Sequence, residues 1–235
     1  MAKTKIEWTE YSWNPITGCT RVSIGCRNCY AEKIAYRLQA MGHKHYVNGF
    51  DVALHEDTLD YPRKLKRPRM IFVNSMSDLF HEKIPFEFIR RVFDVIGQTR
   101  QHVYQILTKR PARLVELAPY IAWHSNVWVG VTVEHNDYVW RIDYLRQVPA
   151  ALRFISFEPL LSAIPNLDLD GIGWVIVGAE TGFGCRPMLP EWAIGIKNQC
   201  VEAGVPFFFK KFANGNRLLN GQKWEQIPKI GESKI

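Results

Sequence analysis

Short apolar runs alternate with amphipathic stretches along most of the chain. The runs fall at 70–74, 103–108, 127–133, 152–157, 174–178 and 205–209. Most are rich in Val, Ile and Phe, and several are apolar on both faces, as strands inside parallel sheets are. Between them lie helical patterns. Phe86, Ile89, Val92, Phe93 and Ile96 line one side of 85–97, and Pro85 suits a first helical turn. The stretch 111–121 opens on Pro111 in the same way. Tyr138, Ile142 and Leu145 stand at helical spacing within 137–148, and 190–203 ends at Gly204, a good helix stop. Strand and helix in alternation predict an α/β fold with parallel strands and right-handed crossovers. An open sheet and a partial barrel both satisfy the pattern. The less regular stretch 42–66 is expected as an inserted lobe, and 212–235 as a C-terminal extension of a single domain spanning 1–235.

In parallel α/β folds, ligands bind at the carboxyl ends of the strands. Those ends here read Asn74-Ser75-Met76-Ser77-Asp78, Thr108-Lys109-Arg110, Thr132-Val133-Glu134, Ser156-Phe157-Glu158-Pro159, Gly178-Ala179-Glu180-Thr181-Gly182 and Lys210-Lys211. Loops are polar in any case, but Glu directly after an apolar run recurs in three of these ends. A shared polar cavity is therefore expected.

The chain has five cysteines. An odd count does not suggest a disulfide framework. Cys19, Cys26 and Cys29 crowd together, with six residues between the first two and two between the last two. Three thiolates so spaced suit three irons of a four-iron, four-sulfur cluster and leave the fourth iron open to a small molecule. A helix is expected from near Cys29 through Ala31, Ile34, Ala35 and Leu38. A structural zinc site is the alternative; closed zinc sites take four ligands, and the nearest further candidates, His43 and His45, sit well beyond the cluster.

The net charge is +7 and the pI about 9.2, compatible with a polyanionic partner such as nucleic acid. Lys and Arg gather in 63–69, in 109–113 and at Lys210 and Lys211. Trp123, Trp128 and Trp140 are candidate stacking platforms for unpaired bases. No apolar run approaches the ~18 residues of a membrane span, and the first thirteen residues lack the apolar core of a secretory signal. A cytoplasmic location and no membrane partner are expected.

From Trp13-Asn14-Pro15 through Cys29-Tyr30-Ala31-Glu32, the sequence resembles the opening of radical S-adenosylmethionine (SAM) enzymes. Over nearly its full length it is similar to a phage-associated family marked by a three-cysteine motif; the matching stretches are 13–32, 74–80, 107–111, 130–134, 156–161, 178–182 and 205–211. A looser similarity to spore photoproduct lyase rests on Gly25-Cys26, Cys29-Tyr30-Ala31, Leu107-Thr108-Lys109, and Gly130-Val131-Thr132 preceding a helix with Arg141. Two features depart from the usual pattern. Most such enzymes have three residues between the first two cysteines, and an aromatic residue where Asn28 stands.

The resemblance implies a partial (β/α)6 TIM-like barrel, a [4Fe-4S] cluster on Cys19, Cys26 and Cys29, and SAM on the open iron. It also implies an electron donor such as flavodoxin or ferredoxin, and a partner protein is compatible with it. An electron from the cluster would cleave the sulfonium and release a 5′-deoxyadenosyl radical that takes hydrogen from a substrate. On that basis Asp78 or Ser75 would meet the SAM amino group, and Lys109 or Arg141 its carboxylate. Glu134 would hold the ribose hydroxyls. Arg141 also has Asp137 four residues earlier, the spacing of a helix-surface ion pair. Glu158 and Glu180 are further cofactor candidates, and Lys210 and Lys211 substrate candidates. Cys185 is a candidate hydrogen donor by similarity to the photoproduct lyase, whereas Cys200 belongs to a helix core. The expected function is a radical enzyme acting on nucleic acid or a nucleotide, in repair or modification. A radical enzyme on a peptide or small metabolite, and a non-catalytic zinc- or cluster-stabilised binding module, are the alternatives.

Overall fold

The computed structural model describes residues 2–229; the end of the expected C-terminal extension, 230–235, lies outside the described residues. The strands are β1 (Ala2–Lys3), β2 (Tyr11–Trp13), β3 (Ile16–Thr17), β4 (Ala53–Leu54), β5 (Met70–Val73), β6 (Val103–Thr108), β7 (Val127–Thr132), β8 (Leu152–Phe157), β9 (Trp174–Val177) and β10 (Phe207–Phe209). The helices are α1 (Tyr30–Ala40), α2 (Phe86–Gln98), α3 (Pro111–Leu117), α4 (Arg141–Arg146) and α5 (Pro190–Glu202).

The main sheet runs β1-β2-β5-β6-β7-β8-β9-β10. Every pair from β2 to β10 is parallel, and β1 closes one edge antiparallel. Seven parallel strands among the described residues form a curled half-barrel, the expected partial TIM-like barrel. The six runs of the sequence supply β5 to β10. The seventh strand, β2, was not expected: it has three residues, and the polar Ser12 in its middle hides it.

The strands are apolar on both faces because both faces are covered. Ile71, Val73, Tyr104, Ile106, Val127, Val129 and Val131 pack under α2 and its neighbours. On the concave face Phe72, Trp128, Phe154, Trp174, Ile176 and Phe208 close around Trp8, which arrives from the N-terminal segment. The Trp8 ring lies 4.8 Å from Phe72 and 6.1 Å from Trp174, edge-on to both. Trp128 is therefore core, and Trp123 packs edge-on against Phe93. Of the three tryptophans expected as base platforms, only Trp140 is exposed.

Helices follow β5, β6, β7 and β9, while 158–173, between β8 and β9, is irregular. The segment 42–66 holds three short 3-10 turns and β4, which pairs antiparallel with β3. Among the described residues no helix is long and apolar enough to cross a membrane.

Candidate cofactor site at the carboxyl ends of the strands

The cysteine loop, 18–29, lies across the carboxyl ends of the sheet and is tied to four of them. At its start the Gly18 N–H donates to Met76 O beyond β5 (3.0 Å), and the Cys19 N–H donates to Phe50 O (3.2 Å). Gly18 has φ +82°, and a Cβ there would stand 2.1 Å from Asp51 O, so only glycine fits. Arg110, after β6, donates to Thr20 Oγ1 (2.8 Å) and Thr20 O (3.1 Å). Beyond β7, Glu134 accepts from Ser23 Oγ (2.5 Å), and Tyr138 Oη accepts the Ile24 N–H (3.3 Å). A Cβ on Gly25 would lie 2.4 Å from Glu134 Cγ, so the chain passes directly over that carboxylate. Beyond β9, Arg186 donates to Ile24 O (2.9 Å), while the Asn28 amide donates to Glu180 (2.8 Å) and Gly184 O (3.1 Å). Cys29 then caps α1, and Tyr30 Oη donates to Ser75 O (2.5 Å).

The three thiols are free and half-buried. Burial pushes the Cys19 thiol up to about 11, and Asp78 adds to this; Arg110, with Nη2 at 4.0 Å, works the other way. Cys19 is thus a neutral thiol near pH 7 until a metal displaces its proton. Burial disfavours the Lys109 ammonium, yet Glu134, Cys26, Cys29 and Asp78 outweigh it and raise its pKa. Lys109 is a fixed cation facing two of the thiols, suited to offset an anionic cluster.

Three free thiols on one loop are a donor set that fits three irons of a four-iron, four-sulfur cluster and leaves the fourth iron open, whereas a closed zinc site takes a fourth ligand.

The other expected site residues gather at the same end, but most already have partners. Glu134 is wholly buried; besides Ser23 it takes Arg141 Nη1 at 2.8 Å, with Lys109 Nζ at 3.7 Å. Arg141 is itself buried and bonds Thr132 O (2.7 Å), so it does not form the surface pair with Asp137. Residue 141 opens α4 facing β7, which carries its side chain inward. Asp78 is buried and accepts from Thr108 Oγ1 (2.7 Å), the Lys109 N–H (3.0 Å) and the Phe80 N–H (3.0 Å). Ser75 Oγ accepts from Ser12 (2.6 Å) and donates to Asn14 Oδ1 (3.2 Å). Glu158 pairs with Lys210 Nζ (2.8 Å) and the Trp8 indole N–H (3.1 Å), and Lys211 Nζ pairs with Glu7 (2.8 Å). Arg110 is buried against Glu82. Lys109, Arg110, Lys210 and Lys211 each face a carboxylate. Glu180 is clasped by the guanidinium and the backbone N–H of Arg186. Burial pushes its carboxyl up, but Arg186 and Asn28 prevail and hold it at about 2. Cys185 follows Gly184, so the same clasp brings it beside the cysteine loop.

Sequence reasoning assigned no role to Ser23, Arg186 or Asn74. Asn74 directly follows β5, at φ +62°, with both amide atoms buried and unpartnered among the described residues. A buried orphan amide at a strand end calls for a ligand or ordered water. Its one sequence signal was a polar residue directly after an apolar run.

The family model described as Protein of unknown function (DUF5131) matches residues 3–228, and the chain belongs to that family. Among solved structures it is similar to spore photoproduct lyase complexed with dinucleoside spore photoproduct, at 13% identity and a TM-score of 0.48 over 75% of this chain and 57% of that one. It is also similar to a cysteine-to-serine mutant of spore photoproduct lyase, at 14% identity and a TM-score of 0.49 over 75% and 57% of the two chains. The chain thus spans little more than half the length of those chains. No curated protein matches the sequence.

Proposed function

We propose that this member of the family is a cytoplasmic radical SAM enzyme, of the phage-associated three-cysteine group its sequence resembles. Cys19, Cys26 and Cys29 would hold a [4Fe-4S] cluster at the carboxyl ends of the half-barrel. The observation that carries the reading is the loop itself: three free thiols on one short segment, fixed over the strand ends by Glu134, Arg110, Glu180 and Arg186. When bound, the cluster and SAM supply reductive cleavage of the sulfonium and a carbon radical that abstracts hydrogen. The chain's own residues position and shield that chemistry. Lys109 holds a positive charge beside Cys26 and Cys29. The unpartnered amide of Asn74 is available to the amino-acid or sugar part of SAM. The clasp over 178–186 keeps Cys185 next to the loop, in place to return a hydrogen atom to a substrate radical.

The substrate we favour is nucleic acid or a nucleotide. Arg27, Lys33 and Arg37 are exposed on the cysteine loop and α1, and Trp140 and Phe183 present open aromatic faces. The test is anaerobic reconstitution with iron and sulfide analysis and an assay for 5′-deoxyadenosine. Close to four irons, lost on Cys19→Ala, Cys26→Ala or Cys29→Ala but kept on Cys200→Ala, is the expected result. Failure of the wild type to take up iron and sulfide overturns the proposal.

A further inference from the structure

The geometry points to a second metal site, built from His45, His55 and Asp57, for a single Zn²⁺ ion. One ring nitrogen of each histidine and one Asp57 oxygen all lie within 4.8 Å of one another. His45 Nε2 already stands 3.1 Å from both Asp57 oxygens. Ligands around a tetrahedral zinc ion at about 2.0–2.1 Å are roughly 3.3 Å apart, so only the third donor has to close in. The two imidazole rings face each other with centroids 4.2 Å apart and planes 34° from parallel.

The surroundings of the three donors resemble the outer shell of a metal site. Thr17 Oγ1 lies 2.7 Å from His55 Nε2 and donates to His45 O (3.3 Å), fixing both histidine-bearing turns against β3. Lys44 Nζ holds Asp57 Oδ2 at 2.5 Å, which leaves Oδ1 to ligate. Ligands oriented by such partners are the norm in metal sites. His55 is buried while Asp57 is 45% exposed, so the ion enters from solvent and water takes the fourth position. Two imidazoles and a carboxylate suit zinc, whereas the three thiols suit iron and sulfide. The site has a structural consequence. The ion would cross-link the two histidine-bearing turns of 45–57, and the backbone N–H of His55, donating to Pro15 O (2.8 Å), together with Thr17 joins that segment to the strand that leads into Gly18-Cys19.

The inference does not depend on what the cysteines bind, and the test separates the two sites. In the full chain with Cys19, Cys26 and Cys29 all replaced by Ala, calorimetric titration with Zn²⁺ should show one equivalent bound. Binding should be lost on further His55→Ala, and weakened roughly 10–100-fold by Thr17→Val. A folded triple variant, checked by circular dichroism, that binds no zinc overturns the site. Where the triple variant does not fold, Co²⁺ added to the metal-free wild type decides. Weak visible bands without thiolate charge-transfer intensity, abolished by His45→Ala, support the site. A spectrum of thiolate bands alone, unchanged by His45→Ala, refutes it.

Discussion

Replacing Glu134 with alanine removes the one carboxylate that holds the cysteine loop to β7. Glu134 is fully buried, and so, nearly, is Arg141, which otherwise meets Thr132 O and the rings of Tyr138 and Trp140, whose centroids lie 4.3 and 5.9 Å from its guanidinium carbon. Stripping one partner from a buried pair leaves an uncompensated charge and costs about 3–5 kcal/mol. Ser23 and Lys109 lose a partner in the same step. A residue that only met ribose hydroxyls would, by contrast, cost nothing in the metal-free chain. Urea denaturation of reduced, metal-free protein separates the two roles, because neither cofactor is present. The expected result is a midpoint shift equivalent to about 3–5 kcal/mol with an unchanged slope. Gly25 sharpens the test. Its substitution by alanine puts a Cβ against Glu134 Cγ, Cδ and Oε1, an overpacking that costs about 1–3 kcal/mol. In the Glu134→Ala background those atoms are gone, so Gly25→Ala should cost much less, with a coupling of similar size. A Glu134→Ala chain within about 1 kcal/mol of wild type, or additive effects of the two substitutions, would refute the anchoring role.

Three further outcomes follow from the same geometry. Glu180 is held at about 2 against an ordinary 4.5, so its stabilising contribution is complete above about pH 4.5 and is lost as pH falls toward 2. Acid titration of thermal stability should cost wild type up to about 3 kcal/mol more than Glu180→Gln over that window, and parallel curves would sink the assignment. Gly18→Ala should destabilise the chain by about 1–3 kcal/mol through its positive φ and the close approach of Asp51 O, read by the same urea curves. If single-stranded DNA binds, Lys211→Ala should leave the salt dependence nearly unchanged because Glu7 already holds that lysine. Joint neutralisation of Arg27, Lys33 and Arg37 should reduce the log–log slope by about 0.7 for each phosphate that is no longer neutralised. A steep drop in slope with Lys211→Ala, and none with the triple substitution, would reverse the proposed footprint.

The sequence made the sheet legible wherever a strand was long and covered on both sides, which holds for β5 to β10. It did not reveal β2, whose three residues offer too short a pattern, or Trp8, an isolated apolar residue in a charged segment that caps the concave core. The cysteines and the convergence of strand-end polar groups were also visible, because each is a local pattern. Their pairing was not. Lys211 meets Glu7 across 204 residues, and Asn28 meets Glu180 across 152. No local periodicity records such pairs, so Lys210 and Lys211, expected to meet substrate, are found facing Glu158 and Glu7. Arg141 was misleading for the same reason: Asp137 lies at helical spacing, but burial at the start of α4 directs the guanidinium to Glu134.

The clasp from 180–186 onto 24–28 also sets an order of events during synthesis. Ile24 and Asn28 leave the ribosome early, but their partners Arg186, Glu180 and Gly184 follow only after more than 150 further residues. Until then the strand that carries the clasp has not emerged, and the loop is tied only at the ends nearer the N-terminus. The loop is therefore tied to the far side of the sheet only once β9 and the segment after it have been made.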